Sequence, residues 1–284
     1  MSSSVPGKPR ARKLRRWIQV GFLLWAAFSL SWLANSVRTQ GVDDALLLAS
    51  EVVAVNEREA ALEFLPTNPQ ARGALVFICG SGIHPHAYAP LLRPIAEAGY
   101  PVFVVRLPYR FAPLESHKAQ AVDRVRSLVA AQPETVHWVI AGHSLGGALA
   151  ARLARETAEL NAAFVLIGTT HPKADDLSGL DAPFTKVYAT HDGIAPPDRV
   201  MATRGLLPAR SRWVKIQGGN HSQFGHYGRQ LFDGKAAISR EAQQAITREL
   251  LLEALRPAAT ATPASPDPAP PASAETSAPR TGPA

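Results

Sequence analysis

A serine set between glycines, where an apolar run gives way to helical spacing, is a pattern that can do nucleophilic chemistry. The stretch "WVIAGHSLGGALAARLA", residues 138–154, breaks at Gly142-His143-Ser144-Leu145-Gly146 and then resumes as an amphipathic helix. An ordinary strand-to-helix turn also favours Gly and Ser, for geometric reasons. A catalytic serine on so sharp a turn would sit in strained backbone, with Gly142 and Gly146 removing side chains that would collide. A hydroxyl is a poor nucleophile at neutral pH, so it needs a base, and the base needs an orienting acid. Two later apolar runs end at such groups. "FTKVYAT" leads into "HDGIAPP" and Asp192, and "RWVKIQ" leads into "GGNHSQFG" and His221. Ser144, Asp192 and His221 therefore stand in chain order as nucleophile, acid and base. Asp192-Gly193 also reads as a turn dipeptide and His221 as a loop histidine. His191 and His226 are rival bases, and Asp175 and Asp176 are fallback acids.

Acyl transfer further needs donors aimed at the developing oxyanion. The amide of Leu145, right after the nucleophile, is one. The second is expected from the loop "GSGIHPHAY" after the run "ALVFIC", with Ser81 the first choice and Gly82 the next. Arg106 and Arg110 border the same crevice and invite an anionic substrate, although ion-paired or solvated arginines are the plainer reading. Cys79 reads as a small core residue close enough to the site to suggest sensitivity to thiol reagents.

The elements that must hold these residues follow a regular alternation. Residues 51–65 read as a hairpin. Strands are then expected at 74–79, 101–107, 136–142, 162–168, 184–190 and 212–218, with helices at 88–99, 116–132, 145–160 and 239–256. Short, almost wholly apolar strands alternating with helices predict a parallel sheet covered on both faces. In such sheets the ligand crevice lies at the carboxyl ends of the strands, which is where the three residues fall.

Charge and composition delimit the rest. With 46% hydrophobic and 19% charged residues, the chain suits a packed globule. The net charge of +7 lies in residues 1–42, which carry seven Lys/Arg and no acid, so the body from 43 to 256 is nearly neutral and no nucleic-acid partner is expected. The basic arm 1–16 precedes Trp17–Val37, an uncharged run that as a helix would span about 31 Å, close to a bilayer's hydrocarbon core. The positive-inside rule keeps the arm in the cytoplasm and exports the chain beyond the apolar run. This predicts a single-pass bacterial inner-membrane protein, tethered through its N-terminal helix, with its catalytic domain facing the periplasm or exterior. Cleavage near Ala34-Asn35-Ser36 would instead release it as a secreted protein. Residues 38–50 read as a linker, 51–256 as the catalytic domain, and the Pro/Ala-rich tail 257–284 as disordered. The single cysteine excludes an intramolecular disulfide, and no Cys/His spacing suggests a metal site.

Over residues 50–256 the chain resembles the α/β-hydrolase superfamily, and more narrowly its "fold-5" group of dienelactone-hydrolase-like proteins. The residues that carry the resemblance are "CGSGIHPHAYAPLLRPIAEAGYPVFVVRLP", "AGHSLGG", "ATHDGIAP" and "GGNHSQFGHYGRQLFDGKAAIS". It implies a mostly parallel eight-stranded sheet, a Ser-Asp-His triad, no metal and no organic cofactor. Dienelactone hydrolases proper use a cysteine nucleophile where this chain has Ser144, so their substrate does not transfer. Gly-Ser-Gly stands where group members often have Gly-Gly, which leaves the second oxyanion donor open by one residue. The expected activity is hydrolysis of small or medium acyl esters or thioesters through an acyl-enzyme, the preference over amides resting on the resemblance alone. The alternative is a membrane-anchored binding protein that keeps the fold without the chemistry.

Overall fold

The computed structural model describes residues 9–69, 73–157, 160–173 and 175–256. The tail from 257 and residues 1–8 of the basic arm lie outside the described residues. Strands β1 (Val53–Glu57) and β2 (Ala61–Pro66) form the predicted hairpin. They are followed by β3 (Gly73–Ile78), β4 (Val102–Val105), β5 (His137–His143), β6 (Ala162–Ile167), β7 (Phe184–Ala189) and β8 (Arg212–Ile216). The eight strands make one sheet in the order β1-β2-β4-β3-β5-β6-β7-β8. Only β2 is antiparallel to its neighbours; from β4 to β8 every pairing is parallel. Strands β3, β4 and β6 are buried along their whole length, as expected of apolar runs covered on both faces.

Helix α1 spans Pro9–Val37 and is followed by α2 (Ala89–Glu97), α3 (Glu115–Ala130), α4 (Leu145–Glu156), α5 (Pro197–Met201) and α6 (Arg240–Leu255). Helices α4 and α6 cover β3, β5 and β6 from opposite faces, with α3 beside α4 and α2 beside α6. The predicted elements therefore stand with their ends moved by a few residues. Helix α1 begins at Pro9, so it extends from the apolar run into the second half of the basic arm. Part of the segment read as a linker makes contacts with the body. Asp43 caps a short turn at Asp44–Leu47, and the buried Arg93 guanidinium donates to the carbonyls of Leu46 and Leu48 at 2.9 and 2.6 Å. Helix α5 went unpredicted because its prolines read as loop. Residues Lys13–Val37 of α1 form a helix long and apolar enough to cross a membrane by length and composition, and none of its most apolar window is buried.

Candidate active site

The position of Ser144 is set by the register at the centre of the sheet. Strand β5 lies between β3 and β6, and its last residues pair with Ile78 and Ile167. The chain then reverses into α4 through Ser144, which adopts φ 56° and ψ −116°. A non-glycine residue in this region carries strain on the order of 1–3 kcal/mol, and such strain clusters at functional sites. The surrounding glycines are sterically required. A Cβ on Gly146 would lie 2.0 Å from the Ile78 carbonyl oxygen, and one on Gly142 would lie 2.2 Å from the Gly146 backbone. The Ser144 amide is tied to the Ile167 carbonyl at 2.9 Å, while its hydroxyl makes no capping bond.

Asp192 and His221 converge from the ends of β7 and β8. Asp192 Oδ2 bonds His221 Nδ1 at 2.8 Å, and both residues are buried. Asp192 Oδ1 accepts from the amides of Ile194 and Ala195 at 2.9 and 2.6 Å, which fixes the carboxylate plane. An ionised carboxylate only accepts, so Nδ1 carries the proton and Nε2 holds a free lone pair. That Nε2 atom is buried and has no partner among the described residues. The imidazole thus has the tautomer a general base requires.

A second carboxylate braces this loop. Asp233 Oδ1 accepts from the amides of His221 and Gly193, at 3.1 and 3.3 Å. Asp233 Oδ2 accepts from the Ser222 amide and hydroxyl, at 2.8 and 2.7 Å. Tyr227 Oη donates to the His221 carbonyl at 3.1 Å. Sequence reasoning missed Asp233. Its signal was a second Asp-Gly dipeptide, and a Cβ on Gly234 would lie 2.2 Å from the His191 carbonyl oxygen.

His143 also has a larger part than an elbow residue. Its ring centroid lies 4.5 Å from that of His221, and its Nδ1 meets Tyr88 Oη at 3.0 Å. Burial, and secondarily the neighbouring His221, hold its pKa well below the usual histidine range, so it forms an uncharged wall. On the opposite side, the Gly80 amide donates to Tyr88 Oη at 3.0 Å and the Gly82 amide to the Arg110 carbonyl at 2.8 Å. Gly82 is therefore engaged elsewhere. The Ser81 amide between them has no acceptor among the described residues, nor has that of Leu145 at the start of α4. The segment bracing this loop is itself strained, with positive φ at Tyr109, Arg110 and Ala112. Ser144 and Leu145 line a depression of about 230 Å³ together with Thr169, Thr170, His171 and Ile194.

The decisive comparison is with protein families: residues 74–245 match the model of the alpha/beta hydrolase family. The chain belongs to that family. No curated protein matches it significantly in sequence. Solved structures with the same fold include a predicted CIB-like hydrolase from Thermoplasma acidophilum, 13% identical with TM-score 0.55, the match covering 71% of this chain and 99% of that one. Another is Est1E from Butyrivibrio proteoclasticus with bound ferulic acid, 14% identical with TM-score 0.53, covering 72% and 97%. The esterase domain of a Rhodothermus marinus protein is 17% identical with TM-score 0.50, covering 70% and 95%.

The remaining candidates of this hydrolase lie elsewhere. Asp175 pairs with Arg155, and Asp176 accepts the Ser178 amide in an exposed turn. The His191 ring bonds the Lys235 carbonyl and the His226 ring the Gly41 carbonyl. Arg106 is ion-paired with Glu57, and Arg110 donates to the Gly82 carbonyl at 3.1 Å. Arg106 thus has its charge paired, whereas among the described residues the exposed Arg110 is held only through backbone carbonyls. Cys79 is fully buried, and that burial raises its thiol pKa, so the expected reagent sensitivity is corrected to an inert core thiol.

Proposed function

We propose that this hydrolase cleaves carboxylic esters or thioesters through Ser144, His221 and Asp192. The observation that carries the reading is the buried Asp192–His221 bond, which leaves Nε2 unpartnered on a ring 4.5 Å from that of His143, the residue before the serine on the strained turn. Hydrogen bonds between nucleophile and base are often loose in free enzymes and tighten with substrate. In the reaction Ser144 Oγ bonds to the acyl carbon while its proton passes to His221 Nε2. The carbonyl electrons move onto oxygen, where the amides of Ser81 and Leu145 donate to the oxyanion. Collapse breaks the bond to the leaving alcohol or thiol, which takes the proton from Nε2. Water then attacks the acyl-enzyme by the same route, releasing the acid and restoring the serine. Asp192 stays ionised and orients the imidazolium.

The apolar helix α1 supports an uncleaved anchor over a removed signal sequence. Cleavage near Ala34-Asn35-Ser36 would cut a packed junction: Ser36 is 3% exposed, and a Cβ on Gly228 would lie 2.5 Å from the Asn35 carbonyl oxygen. The test of the catalytic reading is fluorophosphonate labelling combined with nitrophenyl ester turnover. Ser144→Ala should lose the label and at least about 10⁴-fold in kcat. Equal turnover in both proteins would sink it.

A further inference from the structure

The catalytic residues leave unexplained a groove of about 780 Å³ that runs between α1 and the mouth of the site. Phe28, Trp32 and Leu33 of α1 form one wall, and Phe111, Ile194 and Leu231 form the other. Ser81 of the oxyanion loop also lines it, and Ile194 is shared with the depression that holds Ser144. The groove therefore lies next to the depression that holds Ser144. Its volume falls within the roughly 300–1,000 Å³ of ligand clefts, and its walls are mostly apolar.

Two further observations give it a direction. The loops around the mouth hold large apolar side chains out to solvent: Tyr109 is 77% exposed, Phe111 44%, Leu231 59% and Phe232 81%. A cluster of this kind marks an interaction surface. The membrane helix is also stitched to that mouth. The Gln40 amide donates to the His226 carbonyl at 2.9 Å, Thr39 forms a bridge with Tyr227, and Arg110 donates to the Val37 carbonyl at 3.4 Å. The end of the apolar span thus abuts the loops that carry His221 and the oxyanion donors, and the groove continues along the helix into its membrane-crossing part.

We infer that this groove receives the acyl chain of a bilayer-resident ester, which enters from the membrane side and presents its carbonyl to Ser144. The inference rests on the serine-hydrolase and membrane-anchor readings above. A chain lying against α1 keeps apolar contact from bilayer to carbonyl, so few methylenes cross water. The depression walled by Thr169, Thr170 and His171 then takes the alcohol. A short, water-soluble ester gains nothing from walls built by a membrane helix. This reading departs from the expectation of small or medium acyl groups, because α1 adds a wall that can hold a longer chain.

The test uses the full-length protein in phosphatidylcholine vesicles, comparing kcat/KM for bilayer-dissolved nitrophenyl palmitate with that for nitrophenyl acetate. The wild type should favour the palmitate at least tenfold. Leu231→Asp should lower that ratio at least tenfold, and Leu231→Met should keep it. Leu231 is exposed, so the charge poses little threat to folding. Ser144-dependent acetate turnover without palmitate preference overturns the groove assignment and leaves the hydrolase reading standing. Equal loss of both activities in Leu231→Asp does the same. If neither ester is turned over and Ser144 resists fluorophosphonate, the serine-hydrolase reading falls, and this inference with it.

Discussion

Asp233 shows how much of the candidate site depends on a residue set behind the imidazole. Its two carboxylate oxygens collect the amides of His221, Ser222 and Gly193 and the Ser222 hydroxyl. These bonds fix where the backbone carrying the imidazole enters the site and tie it to the residue after Asp192. Asparagine at this position is the same size but turns two of those acceptor sites into donors facing donors. Leaving buried donors unsatisfied costs about 1–3 kcal/mol. Asp233→Asn is therefore expected to lower stability by about that much. If the loss falls on transition-state geometry, kcat drops roughly tenfold to a hundredfold with KM little changed. Thermal melts and steady-state kinetics measure the two effects, and an unchanged kcat would remove Asp233 from the positioning apparatus.

At the scale of elements, β7 holds a charge where its neighbours are apolar. Lys186 is buried within the strand, and its ammonium reaches the His171 carbonyl in the loop lining the Ser144 depression. Burial lowers its pKa from 10.5 to about 7. Between those values the unfolded chain binds a proton that the folded chain releases, so stability rises with pH across that window. Below about pH 7 the penalty of protonating a buried amine is fully present. Lys186→Met should flatten the rise in stability between pH 7 and 10 and raise the melting temperature at pH 6. Urea titrations at several pH values check this, and an unaltered slope would show that Lys186 is not its source. The strand itself was legible, since "FTKVYAT" has the length and β-branched content of one, but its lysine was not. Periodicity reports which way a side chain points along a strand and says nothing of the carbonyl it meets across a loop.

Across the whole molecule, the legible part was the part fixed by local rules. Eight strands in alternation with helices, the order of the triad candidates and the 21-residue apolar run of α1 all follow from composition and spacing. What escaped was contact between distant segments: Asp233 under His221, Tyr88 against His143, the Gly82 amide committed to Arg110, and α1 joined to the His221 loop. Each of these brings together residues far apart in the chain through loops with no period to read. The orientation proposed for the whole rests on the N-terminal charge asymmetry. A reporter enzyme active only after export, fused after residue 256, should therefore be active; activity of a cytoplasm-only reporter at that position would reverse the topology.

The junction between α1 and the His221 loop has a kinetic consequence. On the proposed membrane-anchored reading, the mouth would be pinned at a constant height over the lipid headgroups, and encounter would become a two-dimensional search in which reactants meet by lateral diffusion. Turnover of a lipid-borne ester should then track its mole fraction in the membrane. Adding inert lipid at unchanged total ester would slow it by surface dilution, while changing the aqueous volume would leave it alone.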